Sequence, residues 1–338
     1  MQALQQASEP RRPPSRHMPF EHGLQKNLGL DAPLHGFYRH NSWLYRRCRQ
    51  SVLNPSGARS NQTPSEMTFM NALTSIDQSQ GTGSTVLYNG PHSTCSQKVR
   101  LALWEKSIAF VDRRMNLAQN EHLEDWYLQL NPNGVVPTLV HESEVVTDSS
   151  VINEYLEEVF PQVPLMPRTA IERARMRAWR QYIDEVPTPA IRVPSFNAYI
   201  LKMWNNVPDA EFQALVEKRT VRKHLYQKIG RKGFAEHEVR EALERLRQTL
   251  LRMESSLRSG PWLCGEPFTL ADISIVPTVV RLETLGYTHM WRDLPGVASW
   301  YEAVKRRPSF SATYHEASRP PLPTAQNTHA QDASQGFC

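Results

Sequence analysis

The sequence has few cysteines and no long apolar run, and both shortages exclude classes of protein. Only four of its 338 residues are cysteine, and no Cys-x-x-Cys pair occurs, which argues against a disulfide framework and against a cysteine-based metal site. No apolar run approaches the roughly 20 residues that a membrane helix needs. The N-terminus also lacks the apolar core of a secretory signal. We therefore expect a cytoplasmic protein that holds no metal and does not associate with a membrane.

The positive charge of the chain is concentrated in its first quarter. The formal net charge is +5. Residues 1–82 carry nine Lys/Arg against five Asp/Glu, so residues 83–338 have a net charge of only +1. A part of the chain so close to neutrality gives no reason to expect binding to nucleic acid.

Both ends of the chain differ in composition from its middle. Residues 1–82 are rich in Pro, Ser, Gln and Arg and lack helical or strand periodicity, which predicts a disordered leader. Alternatively, translation begins at Met67 or Met70, and the leader is not part of the natural protein. Residues 315–338 are polar, contain proline and are predicted to form a disordered tail.

Residues 83–162 show the pattern of a small α/β domain. Four β-rich runs, TVLYNG, IAFVDRRMNL, VVPTLVH and EVVTDS, are interleaved with helical runs in the order β-α-β-α-β-β-α. A β-α-β crossover followed by a hairpin and a closing helix predicts a mixed sheet with helices on both faces. This is the order of elements in a thioredoxin-like domain.

The first helix of this domain, CSQKVRLALWEKS, is predicted to be amphipathic. Helical spacing places Val99, Leu103 and Trp104 on one face, and places Lys98 and Arg100 away from it. We therefore expect the three apolar side chains to face the sheet and the two cations to face solvent.

A second domain of different character is predicted beyond a proline-rich linker at 163–170. Residues 171–314 contain five helical runs and no convincing strand: IERARMRAWRQYIDEV, DAEFQALVEKRTVRKHLYQKI, EHEVREALERLRQTLLRMESSL, TLADISIVPTVVRLETLG and VASWYEAVKRRP. Thr269 and Asp272 form a capping box ahead of one of these helices, which indicates a structural role. The second domain is therefore predicted to be all-helical.

Four segments in this order resemble the cytosolic glutathione S-transferase superfamily. STCSQKVRLAL is similar to the turn of the zeta transferases, which include maleylacetoacetate isomerases, and NPNGVVPTL, VVTDSSVINEYLEEVFP and WLCGEPFTLADI are similar to further motifs of the family. EYLEEVFP, MRAWRQYIDEV and GRKGF resemble the bacterial lignin β-etherase branch. The resemblance implies a thioredoxin-like domain followed by an all-α domain, glutathione as co-substrate, a small hydrophobic electrophile as second substrate, and a homodimer.

The same resemblance implies a set of glutathione-binding residues. Val136-Pro137 resembles the cis-proline site of the family, where the backbone of the residue before proline pairs with the cysteinyl backbone of glutathione like an added strand. Ser149, at a helix N-terminus, would bind the γ-glutamyl carboxylate. Asp148 would hold the α-ammonium group.

Three residues of the turn after the first strand are candidates for the catalytic role. A hydroxyl at a helix N-terminus can favour the thiolate of glutathione through a charge-assisted hydrogen bond. A zeta-like alignment gives this role to Ser93, and a β-etherase-like alignment gives it to Ser96. A reductive-dehalogenase-like alignment instead makes Cys95 the nucleophile. The sequence leaves the three alternatives open.

The substrate pocket is expected between the two domains, beside the first long helix of the second. Trp179 and Tyr182, with Phe196 and Trp204, are candidates for its aromatic wall. His122 lies near a glutathione contact of some family members and is interpreted here as a surface residue. The basic run KRTVRKHLYQKIGRK is interpreted as a solvated helix face.

The expected function is that of a glutathione S-transferase that directs the thiolate of glutathione at an electrophilic, aromatic small molecule, by conjugation or ether cleavage. One alternative is a glutathione-dependent thiol-disulfide reductase or reductive dehalogenase that uses Cys95. Another is a non-catalytic transferase-like module that binds proteins.

Overall fold

The computed structural model describes residues 85–315 and 318–320. The predictions for the leader and for most of the tail lie outside the described residues. Within the described ranges a sheet with its helices comes first, and a group of helices follows. No helix there is both long and apolar enough to cross a membrane.

A four-stranded mixed sheet forms the base of the first part. Its strands are β1 Thr85–Asn89, β2 Val111–Arg114, β3 Thr138–His141 and β4 Glu144–Thr147. Their order is β2-β1-β3-β4, with β1 parallel to β2 and antiparallel to β3, and β3 antiparallel to β4. The predicted crossover followed by a hairpin is therefore confirmed.

Helices cover both faces of this sheet. Those of the first part are α1 Thr94–Glu105, α2 Asp125–Leu130 and α3 Ser149–Val159. Because successive strand residues point to opposite faces, Leu87 packs into the cluster that contains α1 and α3, whereas Val86 and Tyr88 pack into a separate cluster with Tyr127 of α2.

The amphipathic pattern predicted for α1 is only partly right. Val99 and Leu103 are fully buried, but Trp104 is 44% exposed, and Lys98 and Arg100 are buried. The cause is that α1 lies between the sheet and the helical part, so its polar side is covered as well. The buried cations are therefore partnered: the Lys98 Nζ lies 2.8 Å from a carboxylate oxygen of Asp184 in the helical part.

The helical part is built from eight α-helices among the described residues. They are α4 Ala170–Glu185, α5 Pro187–Ser195, α6 Asp209–Glu217, α7 Lys223–Ile229, α8 Glu236–Ser256, α9 Leu270–Thr284, α10 Pro295–Lys305 and α11 Pro308–Thr313. A π-helical turn, Phe196–Ile200, and a 3-10 turn, Leu201–Trp204, continue α5. The sequence did not predict α5, and the run predicted as one helix from 209 to 229 is divided into α6 and α7.

Helix α9 is the centre of the helical part, because nearly all of its residues are buried. Asp272 in its first turn is fully buried and accepts hydrogen bonds from the main-chain N–H groups of Leu263 and Thr269 and from Trp300 Nε1, each at 3.0 Å. The predicted capping box is present, and Asp272 also joins α9 to the loop before it and to α10.

The chain returns to the first part after α11. Gln97 Nε2 donates to the carbonyl oxygen of Ser318 at 3.0 Å, and Arg319 forms an ion pair with Glu283 at 2.8 Å. Residues 318–320, which the sequence assigned to the tail, therefore pack against α1 and α9. The boundaries at 83–162, 163–170 and 171–314 stay predictions.

Candidate active site

A cavity of about 570 Å³ lies between the sheet-based part and the helical part. From the first part it is lined by the β1–α1 turn and by the loops before α2 and β3. From the second it is lined by α5 with its π-helical continuation, by the link between α6 and α7, and by a residue of α9. The predicted position of the pocket, between the two parts of the chain, agrees with this cavity.

Ser93 and Cys95 of the β1–α1 turn both line the cavity. Ser93 is the N-cap of α1, and its Oγ accepts a hydrogen bond from the main-chain N–H of Ser96 at 3.3 Å. A hydroxyl that accepts in this way still has its own proton to donate. Cys95 is a free thiol in the first turn of α1. Both groups thus lie where the helix dipole favours an anion.

Ser96 has a different position. Its side chain is fully buried and accepts a hydrogen bond from the main-chain N–H of Gly90 at 3.2 Å. It is not among the residues that line the cavity. The structure therefore brings two of the three candidates of this turn to the cavity and places Ser96 behind it, as a support of the turn.

The Val136–Pro137 peptide bond is cis, as the sequence predicted. Val136 lines the cavity, and its N–H and C=O make no hydrogen bond with any residue that the structure describes. The segment before it is held firmly, because Val135 O accepts hydrogen bonds from Tyr127 OH at 2.7 Å and from Asn131 Nδ2 at 2.9 Å. A fixed, unpaired backbone edge therefore faces the cavity.

Asp148 and Ser149 lie at the N-terminus of α3, outside the lining of the cavity. Asp148 caps the helix with Oδ1, which accepts from the N–H groups of Ser150 at 2.8 Å and Val151 at 3.2 Å. Neither the N–H nor the hydroxyl of Ser149 has a hydrogen-bond partner within the described ranges. These free donors fit an anionic group of a ligand.

Trp179 and Tyr182 lie outside the cavity, contrary to the sequence prediction. Both are on α4, where Trp179 packs into the main core and Tyr182 OH lies 2.9 Å from Thr249 Oγ1 of α8. The inner face of α4 is turned toward α8 and α9 and so cannot form the pocket wall. Phe196 and Trp204, the other two aromatic candidates, do line the cavity.

His122 also lines the cavity, although the sequence suggested a surface residue. Burial lowers the pKa of His122 to about 4, and the charges of Arg219 and Arg222 contribute in the same direction. Its Nδ1 is buried without a hydrogen-bond partner in the described ranges. The imidazole is therefore neutral at physiological pH.

Four arginines line the cavity, and none of them was predicted from the sequence as a site residue. They are Arg192 of α5, Arg219 and Arg222 between α6 and α7, and Arg281 of α9. Two belong to the basic run that was interpreted as a solvated face. No local pattern marks the other two, since they meet at one cavity only when the helices pack.

Comparison with known proteins agrees with this architecture. The family models described as the N-terminal and the C-terminal domain of glutathione S-transferases match residues 92–159 and 236–303. A probable maleylacetoacetate isomerase from Caenorhabditis elegans is 32% identical over 194 residues, which cover 57% of this chain and 77% of that protein. The chain belongs to the glutathione S-transferase superfamily.

Two further relatives come from bacteria. Protein LigF from a Sphingobium strain is 28% identical over 71% of this chain and 97% of its own length. The solved structure of β-etherase LigF superposes with a TM-score of 0.63 at 28% identity, over 68% of this chain and 98% of that one. A tetrachloro-p-hydroquinone reductive dehalogenase from Sphingobium chlorophenolicum is 27% identical over 66% of this chain and 93% of its own length.

These comparisons confirm the predicted family, the fold class and the assignment of the protein as a transferase-type enzyme. The family uses glutathione, and this transferase carries unpaired donor groups where the sequence predicted glutathione contacts. Among residues 85–315 and 318–320 no group of His, Cys, Asp or Glu side chains is arranged to hold a metal ion.

Proposed function

We propose that this transferase binds glutathione along the cavity and directs its thiolate at a small hydrophobic, aromatic electrophile. The observation that carries the proposal is the meeting of three features at one cavity of about 570 Å³. These are the Ser93 hydroxyl at the N-terminus of α1, the unpaired backbone of Val136, and an opposite wall that contains Phe196 and Trp204.

Glutathione would be held at three points. The N–H and C=O of Val136, before Pro137, would pair with the cysteinyl backbone, because neither has a hydrogen bond within the described residues and Val136 lines the cavity. The free N–H and hydroxyl of Ser149 would bind the γ-glutamyl carboxylate at the N-terminus of α3. The exposed carboxylate of Asp148 would attract the α-ammonium group.

Ser93 would activate the thiol. Its hydroxyl donates a hydrogen bond to the sulfur and favours the thiolate, with the dipole of α1 acting in the same direction. The thiolate then forms a carbon–sulfur bond with the electrophile, and the bond to a halide or an aryl-ether oxygen breaks with its electron pair. The thiol proton goes to solvent. Ether cleavage is one of the two reactions proposed because of the similarity to the β-etherase.

A second candidate function uses Cys95. This free thiol lines the cavity two residues after the Ser93 cap, and a reductive dehalogenase is among the relatives. In that function the Cys95 thiolate attacks the glutathione sulfur of a mixed disulfide and expels the other thiolate. A second glutathione then attacks the Cys95–glutathione disulfide, which restores the Cys95 thiolate and releases oxidised glutathione.

The first experiment separates the two candidates with three variants: Ser93→Ala, Cys95→Ser and Ser96→Ala. The thiolate of bound glutathione is titrated by its ultraviolet absorbance, and conjugation is measured with 1-chloro-2,4-dinitrobenzene. We expect Ser93→Ala to raise the pKa of bound glutathione and to lower kcat/KM by about 100- to 1000-fold, the range typical for loss of a donor to a developing anion. Cys95→Ser and the control Ser96→Ala should leave that pKa unchanged.

Three other results would change the assignment. A mixed disulfide of Cys95 with oxidised glutathione, mapped by peptide mass and removed by reduced glutathione, would favour the second candidate. A normal pKa of bound glutathione in Ser93→Ala would remove Ser93 from the mechanism. Failure of the unmodified protein to bind glutathione in calorimetry would leave the non-catalytic module.

The proposal includes a cytoplasmic, homodimeric enzyme of detoxification. The outer side of α3 and the start of α4 expose apolar side chains, among them Val151, Val159 and Ile171, and a second copy of the chain would cover them. Light scattering on the purified protein would test the dimer, and Val151→Lys should favour the monomer.

A further inference from the structure

The cavity carries a strong excess of positive charge. Four arginine side chains line it, and no aspartate or glutamate of the described residues does. His122, one of the two histidines of the lining with His92, is neutral at physiological pH because burial lowers its pKa to about 4. A lining with several cations and no carboxylate lacks the internal ion pairs by which buried charges are normally balanced.

Two of the four arginines are already engaged by the protein. Arg281 donates to the carbonyl oxygen of His92 and to Tyr199 OH, and it lies 3.3 Å from Ser195 Oγ. Arg219 donates to Asn120 Oδ1 at 3.2 Å and stacks over the Tyr226 ring at 4.1 Å. These two side chains therefore hold the walls of the cavity.

Arg192 and Arg222 are different. Neither guanidinium has a hydrogen bond, an ion pair or an aromatic ring contact with the part of the chain that the structure describes. Both are only partly exposed. Burial lowers the pKa of Arg192 to about 10, and repulsion by Arg222 contributes in the same direction. Two neighbouring cations held in a cavity without a counter-charge are favourable only if a ligand supplies one.

We propose that Arg192 and Arg222 form an anion subsite that binds a carboxylate of the electrophile, so that the natural substrate of this transferase is an aromatic carboxylate. The inference rests on the proposed function. Guanidinium groups bind carboxylates through paired, charge-assisted hydrogen bonds, which also fix orientation. Phe196, Ile200 and Trp204 line the same side of the cavity and would hold the aromatic body.

Glutathione does not account for the subsite. One of its two carboxylates is assigned to Ser149, which lies outside the cavity lining. The other carboxylate of glutathione needs only one cation. Arg219 can supply it, because Arg219 lines the cavity beside the loop that leads to His122. Arg192 instead belongs to the same lining as Cys95 and interacts with it electrostatically. The subsite therefore shares the cavity with the β1–α1 turn, where the proposed function places the reacting sulfur.

The test uses two electrophiles that differ in charge but react in the same way. With 4-chloro-3-nitrobenzoate and 4-chloro-3-nitrobenzamide, the glutathione thiolate forms a carbon–sulfur bond and chloride leaves. The measured quantity is the ratio of kcat/KM for the benzoate to that for the benzamide, because inherent reactivity cancels when variants are compared. We expect Arg192→Met and Arg222→Met each to lower this ratio by about 10- to 100-fold, as for loss of a hydrogen-bonded charge partner.

Two further variants control for general effects. Lys218→Met removes an exposed positive charge one residue from Arg219 without changing the cavity lining and should leave the ratio as in the unmodified protein. Arg192→Lys keeps the charge but not the forked geometry and should recover part of the loss. A ratio that stays constant in Arg192→Met and Arg222→Met would overturn the proposal.

A binding measurement separates this inference from the proposed function. Calorimetry with 4-nitrobenzoate, on the protein saturated with S-methylglutathione, should show binding that the Arg192→Met/Arg222→Met double variant loses. If the double variant loses this binding but the unmodified protein conjugates no electrophile, the subsite stands and the proposed reaction fails. If conjugation occurs and 4-nitrobenzoate binds the double variant equally well, the subsite fails. A rise only in the KM for glutathione would assign the two arginines to glutathione and also overturn the inference.

Discussion

Arg281 of α9 donates a hydrogen bond from Nη2 to the main-chain carbonyl oxygen of His92, the residue directly before Ser93. Its Nη1 lies 3.3 Å from Ser195 Oγ and also donates to Tyr199 OH. One buried guanidinium therefore joins the β1–α1 turn, α5 and the π-helical turn that continues α5. The turn that carries the proposed activating hydroxyl is positioned by a residue of the helical part.

This relationship predicts a large effect of Arg281→Met at a distance from the reacting atoms. The variant removes the guanidinium hydrogen bonds to the His92 carbonyl, the Ser195 hydroxyl and Tyr199 OH, and we expect a loss of about 2–4 kcal/mol in the free energy of unfolding. Movement of Ser93 should also raise the pKa of bound glutathione, which a purely structural loss would not do. Denaturant unfolding and ultraviolet titration check the two effects.

The control for Arg281 is Arg252→Met. Arg252 is an exposed cation that stacks over the Tyr182 ring at 4.0 Å, away from the cavity. Its loss should cost about 0.5–1 kcal/mol of stability and leave the pKa of bound glutathione unchanged. An unchanged pKa in Arg281→Met, in protein that is still folded, would show that the turn holds its shape without the guanidinium.

The sequence was sufficient for features that depend on neighbouring residues. The crossover followed by a hairpin, the cis bond before Pro137 and the capping box at Thr269 are each specified by a few adjacent side chains and by a motif, so they could be predicted. The positions of Ser93, at the cavity, and Ser96, behind it, could not be predicted, because three alignments of that turn disagree about which side chain faces glutathione.

The remaining errors concern side chains whose surroundings are supplied by distant parts of the chain. Lys98 and Arg100 belong to the polar side of an amphipathic helix, but the helical part covers that side, and both cations have hydrogen-bond partners there or in the sheet. Arg192 and Arg222 meet at the cavity only through the packing of α5 against the α6–α7 link. Helical periodicity contains no information about which other element will cover the polar side of a helix.

A second prediction concerns Asp272, which accepts four hydrogen bonds from Leu263, Thr269 and Trp300 in a fully buried position. Asp272→Ala leaves these donors unpaired and breaks the capping box at the start of α9, although the N-cap residue Thr269 stays in place. We expect the free energy of unfolding to fall by about 3–5 kcal/mol, as for a broken buried charge network. Chemical denaturation provides the measurement.

The matched control for Asp272 is the capping box of α4. Thr169 and Glu172 form the same reciprocal hydrogen bonds there, but at an exposed site. Thr169→Ala should therefore cost only about 1 kcal/mol. Equal losses in the two variants would mean that the burial of Asp272 adds nothing to its capping role.

A third prediction distinguishes two of the cysteines. Burial raises the pKa of Cys264 to about 11, and the nearby charge of Asp272 acts in the same direction. The thiolate fraction of Cys264 at pH 7.5 should therefore be about 100-fold lower than that of an ordinary thiol, since each pKa unit is a factor of ten. Iodoacetamide at that pH should label Cys95, which lines the cavity, well before Cys264. Timed peptide mapping of the unmodified protein and of Cys95→Ser measures both rates, and early labelling of Cys264 would contradict its burial.

The last prediction is a pH dependence of stability that originates at His122. The pKa of this imidazole is about 4 in the folded protein, below the value of about 6.5 expected when the chain is unfolded. Between these two values the unfolded chain binds more protons, so the free energy of unfolding must fall as the pH is lowered from 6.5 toward 4. Above pH 6.5 the group is neutral in both states and has no such effect.

The variant His122→Gln isolates this contribution, because it keeps a polar side chain but cannot titrate between pH 4 and 7. We expect the stability difference between the unmodified protein and the variant to shift by about 2 kcal/mol in favour of the variant between pH 7.5 and pH 4.5. An anion bound at Arg219 would reduce the repulsion that helps to lower the pKa of His122, so saturating glutathione should weaken the dependence. An equal stability difference between the two proteins at pH 7.5 and at pH 4.5 would show that His122 keeps an ordinary pKa.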